Sequence, residues 1–364
     1  MNTIEQTIEE NNLENSHDEA MSNRISGGKH QTHFMKSIPF FLVHLLPLGA
    51  IWTDIHWARD LTICFVLYFA RMFFITGVYH RYFAHRSYKM GRFMQFLMAF
   101  GGGTSAQKGA LWWAAHHRHH HKYSDTPEDL HSPKDGFWWS HMGWILSKDT
   151  EDTQFDLIPD FAKYPELRFL NTYHLLPPII LGTAVYCIFG PSALFIGFFL
   201  STVLLYHGTF FINSLAHVFG KRRYVTTDTS RNSFLLALIT CGEGWHNNHH
   251  HYQSSTNQGF FWWEIDVSYY ILRLLSQFGL VSDLRVPSRK AIERRLVRDG
   301  HADIGMFNTH LEKAFKALMN AKQLKGELSE ERRKAIEALL RSTLHKAEEI
   351  ASMSPGAGQK VVAD

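Results

Sequence analysis

Histidine is the residue type most able to carry chemistry in this chain of 364 residues, which contains 24 histidines. The segment WWAAHHRHHHKYSD, residues 112–125, places His117, His120 and His121 at positions i, i+3 and i+4. On a helix this spacing brings three imidazoles to one face. Imidazole is a common ligand of zinc, iron, copper and nickel, so the pattern predicts metal binding.

The same spacing returns later in the chain. The segment GEGWHNNHHHYQ carries His246, His249 and His250, and the pair His80 and His85 precedes both triplets. A triplet on one helix cannot by itself complete a four-coordinate site. The three histidine boxes therefore predict one metal site that is assembled from distant segments.

A ninth candidate lies in the segment FINSLAH, where Asn213 and His217 are one helical turn apart. Eight or nine imidazole nitrogens are too many for one ion and suit two. Metal-bound histidines usually donate their second N–H to an acceptor, and several acidic residues follow the boxes closely enough to serve. These acidic candidates, which the sequence does not rank, are Asp125, Glu128, Asp129, Asp135 and Glu243.

The overall composition argues for a membrane protein and against nucleic-acid binding. The formal charge is only +3, and no dense basic block is present. The mean hydropathy of -0.19 averages polar ends with an apolar middle. The three cysteines lack CxxC spacing and are expected to be small core residues. Residues 1–36 have no apolar signal region, and we expect a disordered polar tail there.

The apolar middle predicts an all-α, integral membrane four-helix bundle made of two hairpins. The expected spans are about 38–54, 60–79, 172–189 and 192–213, and a helix needs about 20 residues to cross the hydrocarbon core. Four spans place every histidine box on the same membrane face. Basic residues near the span ends also lie on that face, which predicts that it is cytoplasmic.

We therefore divide the chain into three parts. Residues 37–287 form the membrane domain, whose cytosolic helical cap carries the metal site. Residues 288–364 are charged and amphipathic, and we expect a helical cytoplasmic extension. Both termini and the site are expected in the cytoplasm, and the protein in a bacterial inner membrane.

The segments HRYFAH, HRHHH, NSLAH and GEGWHNNHH resemble the histidine boxes of membrane-bound fatty acyl desaturases, most closely the acyl-CoA Δ9 (stearoyl-CoA) type. The resemblance covers about residues 39–287. It implies two Fe2+ ions held by nine histidines, with Asn213 at a position that the family places at the site through a water. The implied ligands are His80, His85, His117, His120, His121, His217, His246, His249 and His250. His116 stands where some relatives have aspartate, and His119 and His251 are extra, so we predict that these three are not ligands.

The resemblance implies a reaction that introduces a cis double bond into a saturated fatty acyl chain, expected at Δ9 of an acyl-CoA, using O2 and two electrons. An unactivated methylene has no acidic proton, so a redox metal that activates O2 is needed. The sequence shows no HPGG-like cytochrome motif. Electrons are therefore expected from a separate ferredoxin, rubredoxin or cytochrome b5-like carrier and its NAD(P)H reductase. The alternatives are a histidine-box fatty acyl or alkane hydroxylase, a desaturase of phospholipid-bound chains, and a membrane metal transporter, which would place its ligands within the spans.

Two further sets of residues concern the substrate. The second span leads into His80, and the carbons beyond the ninth of an 18-carbon chain match about seven or eight helical residues. Tyr68, Met72 and Thr76 are thus candidates for an acyl tunnel, although ordinary packing explains each equally well. Basic residues beside the boxes are candidates for a head-group contact. They are Arg81, Arg86, Lys89, Lys122 and Lys134.

Two polar residues within predicted spans need an explanation. A charged side chain inside a span is costly and is usually paired or functional, so Arg71 indicates either a specific role or a misplaced boundary. His207 raises the same question in the fourth span.

Overall fold

The computed structural model describes Thr32, residues 34–126 and 128–297, and the isolated residues Lys334 and Ala338. Most of the predicted tail 1–36 and of the predicted extension 288–364 therefore lies outside the described residues. The chain forms two compact units, of which the larger comprises 30–222 and 230–294. In the described part of the smaller unit, Tyr224 is buried and pairs with Leu296 in an antiparallel bridge.

The described chain is mostly helical. Its α-helices, numbered in chain order, are α1 Phe34–Leu45, α2 Trp57–Phe73, α3 Arg92–Gly103, α4 Ala110–Tyr123, α5 Phe137–His141, α6 Pro159–Ala162, α7 Pro165–Thr172, α8 Leu176–Phe189, α9 Ser201–Asn213, α10 Leu215–Val218, α11 Phe234–Ile239, α12 His246–His251, α13 Val267–Gln277 and α14 Arg289–Glu293. The 3-10 turns are Leu46–Trp52, Pro133–Asp135, Gly143–Leu146, Lys148–Thr150 and Phe155–Leu157, and the π-helical segments are Phe74–Ala84 and Ala193–Leu200. The strands β1 Lys89–Met90 and β2 Val281–Ser282 pair antiparallel.

Three helices among the described residues are long and apolar enough to cross a membrane. They are Phe34–Trp52, Trp57–Ala84 and Ala193–Val218. The predicted span 172–189 corresponds to α7 and α8, which pass the same test together but are bent by 67°. Pro177 in the first turn of α8 needs no hydrogen-bonded N–H there, which suits a new helix start. The mostly helical class is confirmed, and a four-span bundle with a cap remains a prediction.

The second span is longer than expected. It was predicted to end at Tyr79, but α2 continues into the π-helical segment Phe74–Ala84, so His80 lies inside the helix. At 100° per residue, two α-helical residues five apart would point about 140° apart. The π-type bond from the His85 amide to the His80 carbonyl, 3.1 Å, instead brings these two residues to one side. The wider π-helical turn therefore allows His80 and His85, five residues apart, to reach the same site.

Close packing against this segment explains the run Gly101-Gly102-Gly103 in α3. A Cβ on Gly102 would lie 2.1 Å from Cε1 of Tyr79, and one on Gly101 would lie 2.6 Å from Cε1 of Phe74. Only glycine lets α3 approach the second span this closely. The packing holds the first histidine box against the core that surrounds α4.

Arg71 and His207 both connect helices. The Arg71 guanidinium is buried and donates to the hydroxyls of Ser201 and Thr202, at 2.5 and 2.7 Å, where the Ala193–Leu200 segment joins α9. The ring nitrogens of His207 lie 3.2 Å from His44 Nε2 and 2.9 Å from His141 Nε2. Both residues therefore satisfy their polar groups within the protein, as groups inside a membrane must.

Candidate metal centre

The nine predicted histidines come from four places in the fold. His80 and His85 lie on and just after the π-helical segment, and His217 lies on α10, directly after α9. The second box occupies α4, whose i, i+3, i+4 spacing faces inward, and the third occupies the one-turn helix α12. All nine converge in two groups.

The first group contains five histidines whose Nε2 atoms form a closed ring. Neighbouring Nε2 atoms are separated by 3.1 Å (His80 to His85), 2.9 Å (His85 to His117), 2.9 Å (His117 to His121), 2.9 Å (His121 to His249) and 3.1 Å (His249 to His80). Two nitrogens bound to one metal at right angles lie about 3.0 Å apart when each metal–nitrogen bond is about 2.1 Å. The spacing of the ring therefore fits ligands of one ion.

Hydrogen bonding between the rings cannot explain this arrangement. A neutral Nε2 either carries a proton or offers a lone pair, so donors and acceptors would have to alternate around the ring. Alternation is impossible with five members. Burial, reinforced by the neighbouring histidines, lowers the pKa of His85, His117, His121 and His249 well below the usual value. These four rings are therefore neutral and can offer lone pairs to a cation.

The second group contains the remaining four histidines. His217 Nε2 lies 3.1 Å from His246 Nε2. Ligand nitrogens of His120, His217 and His250 lie within 4.8 Å of one another, and the rings of His246 and His250 are 4.5 Å apart. The nine predicted ligands thus divide into a five-histidine group and a four-histidine group, as two metal ions would require.

Acidic side chains support the second nitrogens of three of these histidines. Glu243 Oε2 lies 2.7 Å from Nδ1 of His80, and the Asp129 carboxylate lies 3.0 Å from Nδ1 of His120. Asp125 Oδ2 lies 3.6 Å from Nδ1 of His217. Burial alone would raise the pKa of Asp129, but the neighbouring His120 and His131 hold it well below its usual value. The carboxylate therefore stays charged and orients His120 through its Nδ1–H.

Asp129 gives a direct test of this support. We expect Asp129→Ala to weaken metal binding at the four-histidine group by about 10–100-fold, the usual effect of losing such a partner. Competition with a chelator measures the affinity. Asp135→Ala is the matched control, because Asp135 is an exposed residue of the nearby turn Pro133–Asp135. Equal affinities in the two variants would contradict a role for Asp129.

The structure removes Arg81 from the head-group candidates. Its guanidinium is fully buried and forms ion pairs with Glu243 Oε1 at 3.0 Å and with Asp266 Oδ2 at 2.9 Å. It also donates to the Thr256 carbonyl at 2.7 Å. A buried guanidinium whose hydrogen bonds are all made within the protein cannot bind a head group. Arg81 instead connects the box of His80 and His85 to residues near the box of His246, His249 and His250.

The other four head-group candidates have partners of their own. Arg86 lies 3.4 Å from an oxygen of Asp160, and Lys89 lies 2.7 Å from one of Asp283. Lys122 Nζ lies 4.8 Å from the Tyr123 ring centroid, and Lys134 donates to the Asp125 carbonyl. These residues remain predictions, but none lines either of the two cavities described below.

The three histidines predicted not to be ligands point elsewhere. His116 Nδ1 lies 2.9 Å from the Trp112 carbonyl, and His119 Nε2 lies 2.9 Å from the Glu128 carbonyl. His251 Nε2 lies 2.8 Å from the Ala291 carbonyl. None of the three belongs to the two groups of converging histidines.

Two cavities adjoin the histidines. The smaller, of about 30 Å3, is lined by Met72 and Thr76 together with His80, Asn213 and Glu243. The larger, of about 270 Å3, also reaches Asn213. Its lining includes Lys36, Phe40, Val43, Lys108, Trp112, His117, Trp144, Glu151, Tyr206 and Phe210.

The predicted tunnel residues therefore fall in different places. Met72 and Thr76 line the small cavity, and Tyr68 lines neither, since its hydroxyl donates to the Ile239 carbonyl at 2.8 Å. The larger cavity lies between α1, α4 and α9. Sequence reasoning missed this space because it is formed by packing between segments far apart in the chain.

Sequence reasoning also missed Asp266 and Gln258. Both carboxylate oxygens of Asp266 accept from Nη1 of Arg81, and Oδ2 also accepts from the backbone N–H of Gln258. The Gln258 side chain lies 3.4 Å from Nδ1 of both His80 and His249. Neither residue stands in a box, and no spacing links them to the histidines.

Comparisons with known proteins agree with the site. A family model described as fatty acid desaturase matches residues 55–277. The palmitoyl-monogalactosyldiacylglycerol delta-7 desaturase, chloroplastic, of Arabidopsis thaliana is 35% identical over 256 residues, covering 69% of this chain and 68% of the relative. The sn-1 stearoyl-lipid 9-desaturase of Synechocystis sp. is 33% identical over 269 residues (70% and 81%). The acyl-CoA C20 Delta5-desaturase of Anemone leveillei is 36% identical over 238 residues (63% and 75%).

Proposed function

Because the chain belongs to the membrane fatty acid desaturase family, as its histidine boxes predicted, we propose that it introduces a cis double bond after the ninth carbon of a saturated fatty acyl chain. The observation that carries the proposal is the convergence of nine histidines in groups of five and four beside a cavity with aromatic and aliphatic side chains in its walls. The named relatives differ in bond position, from delta-7 to 9 to Delta5, so the ninth carbon is our choice for this chain.

We propose two Fe2+ ions as the metals that the histidines hold. Iron would supply the oxidising power that removal of hydrogen from an unactivated methylene requires, with O2 as co-substrate and electrons from a separate carrier. The all-imidazole donor set also suits zinc, which by the usual order of affinities binds more tightly than Fe2+. Zinc in an isolated sample would therefore be compatible with an iron enzyme.

The larger cavity is the proposed acyl site. Its walls include Phe40, Val43 and Phe210, and apolar side chains of this kind suit a lipid chain. The inner end contains His117 of the five-histidine group and Asn213, which also lines the smaller cavity. These residues would hold one methylene pair beside the metals while the walls exclude water.

A substitution in α1 tests this assignment. Val43→Trp places a large ring in the larger cavity, and we expect desaturation of an 18-carbon chain to fall on the order of 100-fold, because a shift of about 1 Å at the reacting carbons has effects of that size. Metal content is expected to stay unchanged. Leu42→Trp is the matched control, since Leu42 is exposed on the same helix and is not a lining residue. Equal activities in the two variants would contradict the assignment.

The charges at one end of the larger cavity suggest the class of head group. Lys36 and Lys108 line it together with one carboxylate, Glu151, which pairs with Lys36. Lys36 and Glu151 are partly exposed, so this end opens to the surface. Two cations and one anion leave a net positive charge, which suits a phosphate-bearing carrier of the acyl chain. Acyl-CoA and a phospholipid share that chemistry.

Turnover by the purified protein in vesicles distinguishes these carriers. Reduced carrier protein, O2 and stearoyl chains are supplied as the CoA thioester, as a phospholipid or as a galactolipid. We expect double-bond formation in the first or second case and a loss with Lys108→Gln that the exposed Lys89→Gln does not show. Turnover confined to the galactolipid would contradict the phosphate assignment, and a hydroxylated product without alkene would favour the hydroxylase.

We further propose that the histidine boxes face the cytoplasm of a bacterial cell. Lys221 and Arg222 follow the end of the span Ala193–Val218 on the side of the boxes, and cytoplasmic segments near span ends are enriched in such residues. Soluble electron carriers would then reach the site directly. The three native cysteines are replaced by serine, and one cysteine is introduced near Lys221. The proposed orientation predicts that this cysteine is protected from a membrane-impermeant reagent in intact cells.

A further inference from the structure

We propose that Gln258 is a positioning residue for the five-histidine group, in which its side-chain oxygen accepts from the Nδ1–H of His249. Its amide nitrogen position lies 3.4 Å from Nδ1 of both His249 and His80, and its Oε1 is buried with no hydrogen-bond partner among the described residues. The inference rests on the proposed metal site, because it concerns the tautomer that metal binding imposes.

The tautomer follows from the ring of Nε2 atoms. A neutral histidine that offers its Nε2 lone pair to a metal carries its proton on Nδ1. His249 therefore presents an N–H donor to Gln258, whereas Nδ1 of His80 faces Glu243 Oε2 at 2.7 Å. An NH2 group cannot accept the bond from His249, whereas the amide oxygen can. Rotation of the amide by half a turn exchanges its nitrogen and oxygen, and it turns the unpartnered Oε1 toward this donor.

The backbone around Gln258 is fixed well enough for this role. Its N–H donates to Asp266 Oδ2 at 2.7 Å, and its carbonyl accepts from Asn248 Nδ2 at 2.9 Å. The side chain is fully buried. Glu243 Oε2 already lies 2.7 Å from Nδ1 of His80, whereas no carboxylate contact of His249 is found among the described residues. Gln258 is thus the neutral acceptor that sets the orientation of His249.

Two variants of similar shape separate the oxygen from the nitrogen of this side chain. Gln258→Glu keeps an acceptor and removes the donor, while Gln258→Met removes both strong hydrogen-bonding atoms. The full-length proteins, stripped of metal in detergent, are titrated with Co2+ alone, and bound metal per chain is followed by visible absorption and elemental analysis. Thermal unfolding of each metal-free variant shows whether it folds.

We expect the wild type and Gln258→Glu to bind two Co2+ ions per chain. Gln258→Met is expected to bind one of them about 10–100-fold more weakly, as loss of an outer hydrogen-bond partner does elsewhere. Weak binding by Gln258→Glu would overturn the inference, because it would show that the NH2 group faces the histidines. Tight binding by Gln258→Met would also overturn it. If the Met variant does not fold, the Glu variant alone decides. A wild type that binds no metal would instead contradict the metal site itself.

Discussion

Replacing His249 by alanine is expected to lower desaturase activity by at least about 100-fold and to release one of two bound metal ions. Its Nε2 lies 3.1 Å from that of His80 and 2.9 Å from that of His121, so its loss opens the ring of five nitrogens. Loss of an outer hydrogen-bond partner already costs about 10–100-fold in affinity or activity, and loss of a direct ligand should cost more. Metal analysis and product assay on the purified protein measure both effects.

The matched control lies two residues away on the same one-turn helix. His251 Nε2 contacts the Ala291 carbonyl, and His251→Ala is expected to keep both metal ions and most of the activity. A His249→Ala protein with full metal content would contradict the five-histidine group. So would a His251→Ala protein that loses a metal ion while remaining folded.

Replacing Arg81 by leucine is expected to lower the free energy of unfolding by about 3–5 kcal/mol. The substitution leaves the carboxylates of Glu243 and Asp266 buried without their shared cation, and breaking a buried ion pair on one side costs that much. The lost tie also frees the Glu243 side chain, which orients His80. Chemical unfolding in detergent, followed by tryptophan fluorescence, measures the change.

Arg86→Leu, at the residue directly after the same box, provides the comparison. The Arg86 side chain is 64% exposed, and its ion pair with Asp160 is longer, at 3.4 Å. Exposed pairs of this kind contribute about 0–1 kcal/mol, so a much smaller change is expected. Equal destabilisation by the two substitutions would show that Arg81 is not held as the structure indicates.

The sequence predicted which histidines would converge, but not how they divide. The i, i+3, i+4 spacing places His117, His120 and His121 on one helix face, yet His120 belongs to the four-histidine group and the other two to the five-histidine group. A single face can serve two sites when the partners on either side come from different segments. Tertiary packing determines those partners, and the spacing of residues along one helix cannot predict it.

The first box shows a different limit. On a regular α-helix His80 and His85 would point apart, and only the π-helical segment brings their Nε2 atoms to 3.1 Å. Arg81, the first of the four residues between them, is a head-group candidate in the sequence because it stands beside a box. Its partners Glu243 and Asp266 are 162 and 185 residues away in sequence, so its burial could not be predicted from its neighbours.

The acyl tunnel predicted along the second span stays a prediction, since Met72 and Thr76 line the smaller cavity, and the larger cavity lies between α1, α4 and α9. The prediction used the length of a lipid chain and the rise of a helix, both of which are sound. The larger cavity was not expected, because the sequence does not show how α1 packs against α9. That packing places Phe40 close to Tyr206 and Phe210. The shape of a cavity depends on such contacts rather than on one helix.

The fatty acid profile of a host that makes no unsaturated fatty acids tests the central claim most directly. The host expresses this chain with a reductase and a carrier protein, and the positions of any new double bonds are determined. We predict cis monounsaturated chains with the bond after the ninth carbon in cells with the wild type, and none in cells with His120→Ala. Hydroxylated chains without an alkene, or no new double bond while the carrier is reduced, would contradict the account.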